Sequence, residues 1–212
     1  MASVTLDSGV LFISHNVADR PFAIALKTAI RELVGDKIDV RFSTSDEAGP
    51  QGGEAWRKWI DRQVVEAHTA LIIVTPHAVG KPWLLWEAGA CSGAALAQKA
   101  LGAATARLNV SIAYGLTENE CPDPLRGDQI ILGIKRDRMK QLLYQILDAH
   151  NISSGLQRTA GEHMQEILDR YIAAVNIALL QAPSLVTEAN VQDWLSRLDK
   201  LAQSERFSPC SP

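Results

Sequence analysis

Short apolar runs alternate with helically spaced apolar residues along the first two-thirds of the chain. A short apolar run between turn residues is typical of a buried strand, whereas apolar residues three and four apart indicate an amphipathic helix. Helices are predicted from about Ala18, over residues 54–67, from Pro82 and over residues 139–147. The apolar runs predict five strands, over residues 10–14, 38–44, 71–74, 108–114 and 129–132.

The alternation of strands and helices determines the expected architecture. Parallel strands need crossover connections, which are usually helices, so repeated strand–helix units favour a parallel sheet with both faces covered. The first helix shows the pattern clearly, because Phe22, Leu26, Ile30 and Leu33 share one face and Gly35 suits the position after the helix end. We therefore predict an α/β fold with a central parallel five-stranded sheet and helices on both faces.

The last quarter of the chain follows a different pattern, with two further amphipathic helices. Thr159 and Glu162 have the spacing of a capping box, so the first of these helices is predicted to begin there. Pro183 is predicted to end it, because proline lacks the N–H that a helix interior needs. Apolar residues with helical spacing over residues 191–201 predict the second helix.

These differences in pattern suggest where the domains begin and end. We predict a first domain over residues 1–155, a C-terminal helical extension over residues 156–203 and a flexible tail over residues 204–212. The two helices of the extension have apolar stripes, which need a partner. They either form a dimer or pack back on the first domain, and the sequence leaves both alternatives open.

Composition limits the partners and the compartment. A formal net charge of -3 and a pI of about 6.0 give no reason to expect nucleic acid, which needs clustered Lys and Arg. The apolar runs at 70–76 and 101–106 are much shorter than the roughly 20 residues of a membrane span. Residues 1–9 lack the features of a signal peptide. Three widely spaced cysteines and five scattered histidines are expected of a cytoplasmic protein without a metal site.

One carboxylate has unusual neighbours. Open parallel sheets bind ligands beyond the carboxyl ends of their strands, and that rim is predicted at residues 14–16, 43–53 and 75–83. Glu87 follows in the second turn of the next helix, one turn after Trp83 on the same face. The surrounding aromatic and small apolar residues should partly desolvate this carboxylate and raise its pKa. The alternative is an ordinary surface glutamate beside a structural tryptophan.

Four segments, in order and at natural spacing, resemble those of TIR domains. Residues 12–15 (FISH) resemble the first signature box, and residues 42–67 look like the second strand, the BB loop and the helix after it. Residues 72–76 (IIVTP) are similar to the third strand with its Ser/Thr–Pro ending. Residues 81–87 (KPWLLWE) resemble the W-x-x-x-E motif of bacterial NAD-cleaving members. The resemblance covers about residues 9–150 and implies a flavodoxin-like TIR fold.

The resemblance also implies a reaction, the cleavage of the bond between nicotinamide and ribose in NAD. NAD is then a substrate, and no cofactor or metal is implied. Glu87 matches the catalytic carboxylate, which would stabilise an oxocarbenium-like ribose, and Trp83 would form an aromatic wall of the site. The remaining residues that match the family's substrate-binding segments are Ser14, His15, Asn16, Phe42, Ser43 and Asp46.

Several of these residues have simpler explanations. His15 follows a strand and is equally a loop or capping residue, and Phe42 alternates with Val40 as a core residue would. Trp86 is expected to pack rather than react. Cys91 is expected to be a small core residue, because nothing near it in the sequence would lower the pKa of its thiol.

Three functions are compatible with this sequence. The first is an NAD+ hydrolase or cyclase, which acts as a bacterial immune or signalling effector and is activated by self-association as a homo-oligomer. The second is a non-enzymatic adaptor that works through TIR–TIR assembly, and the third is a nucleoside deoxyribosyltransferase-like N-glycosidase. The Trp83–Glu87 pair favours the first function. The sequence leaves open whether the product is linear or cyclic.

Overall fold

Parallel strands form the central sheet in the computed structural model, which describes residues 9–43, 56–102, 107–126, 130–152 and 154–182. Within these ranges the strands are β1 (Val10–Ser14), β2 (Asp39–Phe42), β3 (Ala67–Val74), β4 (Leu108–Ala113) and β5 (Ile130–Leu132). They lie in the order β2-β1-β3-β4-β5, and every pairing is parallel. This is the doubly wound order of flavodoxin-like folds, so the predicted fold class is confirmed.

Helices cover both faces of this sheet. The helices of the described residues are α1 (Arg20–Val34), α2 (Trp56–Glu66), α3 (Pro76–Val79), α4 (Pro82–Ala100), α5 (Asp123–Arg126), α6 (Arg136–Ala149) and α7 (Ser154–Gln181). Leu11 and Ile13 of β1 pack into one core with α1, α6 and α7, whereas Phe12 packs into a second core with α2 and α4. This division follows from strand geometry, because successive side chains point to opposite faces.

Most predicted boundaries differ from the structure by a few residues, and among the strands β3 differs most. It begins at Ala67, four residues before the predicted start, because α2 ends at Glu66 and the chain enters the sheet at once. Arg107 stabilises this junction by donating hydrogen bonds to the carbonyls of Val64, at 2.7 Å, and Val65. A cation at the C-terminal end of a helix satisfies carbonyls that lack a helical partner and interacts favourably with the helix dipole.

The helix α7 begins earlier than the sequence predicted. Its first residue is Ser154, so the predicted start at the Thr159 capping box is wrong. Residues three apart share a helix face wherever they occur, and the Thr–Glu spacing therefore does not by itself mark an end. The second predicted helix over 191–201 and the predicted tail over 204–212 lie outside the described residues, and the domain boundaries remain a prediction.

The helix α7 packs on the sheet domain, which is one of the two alternatives left open for it. Its apolar face, including Leu168 and Val175, is buried in the core with α1 and α6. The Tyr171 hydroxyl lies 2.7 Å from the Tyr114 hydroxyl, inside that core. On the surface, Arg170 pairs with Glu32 of α1 at 2.8 Å. No helix in the described ranges is both long enough and apolar enough to cross a bilayer.

Candidate active site

The ends of three strands meet at the carboxyl edge of the sheet. Ser14 ends β1, Thr75 follows β3, and Ser43 follows β2, where its N–H donates to the Ile13 carbonyl at 3.1 Å. The connections that leave β1 and β3 lead to helices on opposite faces, so a crevice lies between the two strand ends. Flavodoxin-like folds bind ligands at this switch point.

The helix α4 brings Glu87 to this edge. Its residues Leu84, Ala88 and Cys91 are buried in the core beside α2, and Glu87 shares that face with only 1% of its surface exposed. The Ser14 hydroxyl donates to Oε2 of Glu87. The other carboxylate oxygen, Oε1, is buried and has no hydrogen-bond partner among the described residues. Ser14 and Glu87, two of the predicted site residues, are therefore in direct contact.

Burial sets the acidity of this carboxylate. It raises the pKa of Glu87 to about 7, and hydrogen bonds from Ser14 and Trp83 oppose the shift because they stabilise the ionised form. A carboxylate in such surroundings attracts a nearby cation strongly, since little water screens the two charges. The predicted desolvation beside Trp83 is confirmed, and the side chain is more completely buried than the sequence suggested.

His15 is buried at the same edge and held by the end of β2. The backbone N–H of His15 donates to Ser43 Oγ at 3.0 Å, and its ring Nδ1 lies 3.4 Å from the carbonyl of Ile13. Burial lowers the pKa of His15 to about 4, although the interaction with the Ile13 carbonyl raises it, and the charge of Arg20 lowers it further. The ring is therefore neutral at pH 7 and can offer a hydrogen bond but no positive charge.

Other predicted binding residues have evident structural contacts. Phe42 lies in the core, with its ring centroid 5.2 Å from that of His15 and 4.5 Å from the Lys27 ammonium. Asn16 accepts a hydrogen bond from the Ala18 N–H at 3.0 Å and so caps a short 3-10 turn. Their roles in substrate binding, like those of Ser14, His15 and Ser43, remain predictions. Asp46 lies outside the described residues.

A second buried carboxylate at this edge was not singled out from the sequence. Asp19 is completely buried, and its Oδ2 accepts a hydrogen bond from Thr75 Oγ1 at 2.8 Å. His77 Nδ1 lies 3.6 Å from Asp19 Oδ1. Burial raises the pKa of Asp19, and Thr75 and His77 oppose the shift. In the sequence, Asp19 stands just before the apolar stripe of the first helix, and an acidic residue at that position is ordinarily interpreted as a helix cap.

The two tryptophans of α4 form a tilted pair beside Glu87. The ring centroids of Trp83 and Trp86 are 4.8 Å apart, and the Arg57 guanidinium of α2 lies 5.2 Å from the Trp86 ring. This contact joins α2 to α4, as expected for a packing residue. Cys91 is buried, and burial raises the pKa of its thiol to about 12, which agrees with a core residue rather than a nucleophile. In the described ranges no three acidic, histidine or cysteine side chains converge as metal ligands.

Comparison with known proteins supports one family. The sequence model of the TIR domain matches residues 11–131, which is more than half of the chain. Among solved structures, the TIR domains of the activated Roq1 resistosome, which directly recognises the pathogen effector XopQ, match with 10% identity and a TM-score of 0.37. That match covers 90% of this chain and 99% of the other. No curated protein sequence matches the chain.

Proposed function

Because the chain belongs to the TIR domain family, we propose that it is an NAD+ hydrolase that releases nicotinamide and forms ADP-ribose or a cyclic isomer of it. The observation that carries this proposal is the environment of Glu87. Its carboxylate lies at the switch point of the sheet, desolvated, bonded to Ser14 through one oxygen, while the other oxygen is buried without a hydrogen-bond partner among the described residues. The proposed reaction involves no nucleic acid, metal ion or membrane.

Cleavage of the nicotinamide–ribose bond requires one negative charge held close to the ribose. Nicotinamide in NAD+ is already cationic, so it departs as a neutral molecule without a general acid. Positive charge then develops on the ribose, and a fixed carboxylate in a low-dielectric site stabilises it more than water would. Glu87 supplies this charge, and the Ser14 hydroxyl fixes the orientation of the carboxylate. Trp83, one helical turn away, forms the wall against which the substrate stacks.

The burial of Glu87 indicates that the enzyme needs an activating conformational change. With only 1% of Glu87 exposed, the substrate reaches the carboxylate only after neighbouring groups move. Self-association of the protein, acting as a cytoplasmic immune or signalling effector, would provide that change. The same burial also favours the second candidate, an adaptor that works only by TIR–TIR assembly. Family membership removes the reason to consider a deoxyribosyltransferase-like enzyme.

The test is NAD+ consumption by the concentrated protein, with Glu87→Gln and a matched control. Glu87→Gln should lower kcat about a thousandfold, because it removes the charge and keeps the shape. Glu66→Gln makes the same change at an exposed carboxylate that pairs with Arg41 at the amino edge of the sheet, just before β3, and should not affect the rate. Full activity of Glu87→Gln, or no turnover by the wild type even when self-association is forced, would refute the proposal.

The pH dependence of the same assay tests the protonation state. The ionised form of Glu87 is the active one, and its pKa in the free enzyme is about 7. The value of kcat/KM, which reports the free enzyme, should therefore fall about tenfold per pH unit below pH 7 and level off above it. A profile that stays flat down to pH 5 would contradict the role of Glu87.

A further inference from the structure

The mechanism above makes no use of Asp19, although a buried carboxylate is costly. Its carboxyl group is completely buried, and Oδ1 has no hydrogen-bond partner among the described residues. Removing a carboxylate from water costs several kcal/mol unless its partners compensate. Burial raises the pKa of Asp19, which shows that compensation by Thr75 and His77 is incomplete. Groups of this kind occur preferentially at functional sites.

The contacts of Asp19 join two connections of the chain that are remote in sequence. Asp19 ends the turn between β1 and α1, and its N–H donates to the Asn16 carbonyl at 2.8 Å. Thr75 begins the turn between β3 and α4, where its hydroxyl donates to Asp19 and accepts from the Ala78 N–H at 3.3 Å. The Asp19–Thr75 bond therefore links the loop that carries His15 and Asn16 to the turn that leads towards Glu87.

This link and the Ser14–Glu87 contact lie on opposite sides of the sheet. Thr75 follows Ile73 by two positions, so it faces the side where Ile73 packs with α1, and Asp19 bonds to it there, immediately before α1. Glu87 and Ser14 lie on the other side, beneath α4. Because β1 and β3 are hydrogen-bonded neighbours, a bond between the chain segments that follow them sets the distance between the two walls of the site. The two buried carboxylates thus lie on opposite sides of the same crevice.

We propose that Asp19 is a positioning residue, which, through the Thr75 hydroxyl, holds the β1–α1 loop at a fixed distance from the β3–α4 connection and so orients Ser14 and His15 relative to Glu87. This inference rests on the proposed NAD+ cleavage for its kinetic consequence. Displacing a reacting group by about 1 Å can reduce a rate a hundredfold, whereas binding of the remote part of a substrate is little affected. The effect should therefore appear in kcat rather than in KM.

The test compares three variants of β3 and the residue that follows it. Thr75→Val removes the hydroxyl and keeps the shape, and Thr75→Ser restores the hydroxyl. Thr69→Val is the matched control, since Thr69 is equally buried and its hydroxyl also has one long-range partner, His150 Nε2 at 3.0 Å, at the opposite edge of the sheet. Both valine variants should lower Tm to a similar extent, so a purely structural effect would be common to both.

We expect kcat to fall at least tenfold in Thr75→Val, with KM changed less than twofold, and to stay within about twofold of wild type in Thr75→Ser and Thr69→Val. Equal kcat losses in the two valine variants, or no rescue by serine, would overturn the positioning role. Hydrogen exchange tests the clamp independently of turnover, because the Ala18 and Asp19 amides should exchange faster in Thr75→Val alone. If the wild type does not cleave NAD+, only the proposed function fails, and unchanged exchange would then refute the clamp.

Discussion

The two edges of the same sheet are built differently. Among the nine buried polar or charged residues of the described part of the chain, six lie at the carboxyl edge: Ser14, His15, Asp19, Ser43, Thr75 and Glu87. Two of these six are acids with a raised pKa. At the amino edge, buried Thr69 bonds to the His150 ring, and the Val10 N–H donates to His68 at 3.3 Å. Packing alone would not distinguish the edges in this way.

The difference shows where this fold accepts a cost in stability. Neutral hydroxyls and imidazoles are less expensive to bury than carboxylates, and at the amino edge Thr69 and His150 hydrogen-bond to each other. Buried acids are expensive, and they are placed only where the topology opens a crevice. The comparison leads to opposite dependences of stability on pH at Glu87 and at His150, and to different tolerance of added volume at the two edges.

The largest expected effect is at Glu87, measured as stability rather than activity. A folded-state pKa of about 7, above the usual 4.5, means that the native state binds the proton more tightly than the unfolded chain. Stability from this group is therefore lost as pH rises from 4.5 to 7, by up to about 3 kcal/mol. Relative to wild type, Glu87→Gln should gain this amount between pH 4.5 and pH 8 in urea unfolding. A difference that does not change with pH would show that Glu87 is not buried in solution.

The next largest effect concerns how well the two edges tolerate a larger side chain. A Cβ on Gly133, after β5 at the carboxyl edge, would overlap the Tyr114 ring, which Phe22 and Tyr171 hold in place. A Cβ on Gly9, at the amino edge, would overlap the half-buried His150 ring, which can shift. Gly133→Ala should cost about 2 kcal/mol and Gly9→Ala clearly less, as measured by chemical denaturation. Equal losses of stability in the two variants would show that the two edges tolerate added volume equally.

The smallest expected effect has the opposite sign in pH and belongs to the amino edge. Burial lowers the pKa of His150 to about 4, and the neighbouring His68 lowers it further. The folded state then resists protonation, so stability is lost as pH falls from 6.5 to 4. Because His150 is only half-buried, solvent screening reduces the expected loss to about 1 kcal/mol, which His150→Gln should recover at acid pH. If His150→Gln lost as much stability in acid as wild type, His150 would not be the source of this pH dependence.

The sequence predicted the fold better than the site. Strand–helix alternation and the Trp83–Glu87 spacing are local patterns, and both appear in the structure as expected. The Asp19–Thr75 bond could not be predicted, because it joins residues 56 positions apart, and before an apolar stripe an aspartate looks like an ordinary helix cap. The almost complete burial of Glu87 was also missed, since helical periodicity indicates a face but not how much covers it.

The hydroxyl contact between Tyr114 and Tyr171 bears on what counts as one folding unit. The family match ends at residue 131, yet the phenol of Tyr114, directly after β4, has its partner in Tyr171 of α7, 57 residues further along. A chain that lost α7 would leave that hydroxyl unsatisfied in an apolar core and uncover the buried face of α1. We therefore expect the segment that unfolds cooperatively to extend to at least Leu179, so that the end of the family match falls inside it.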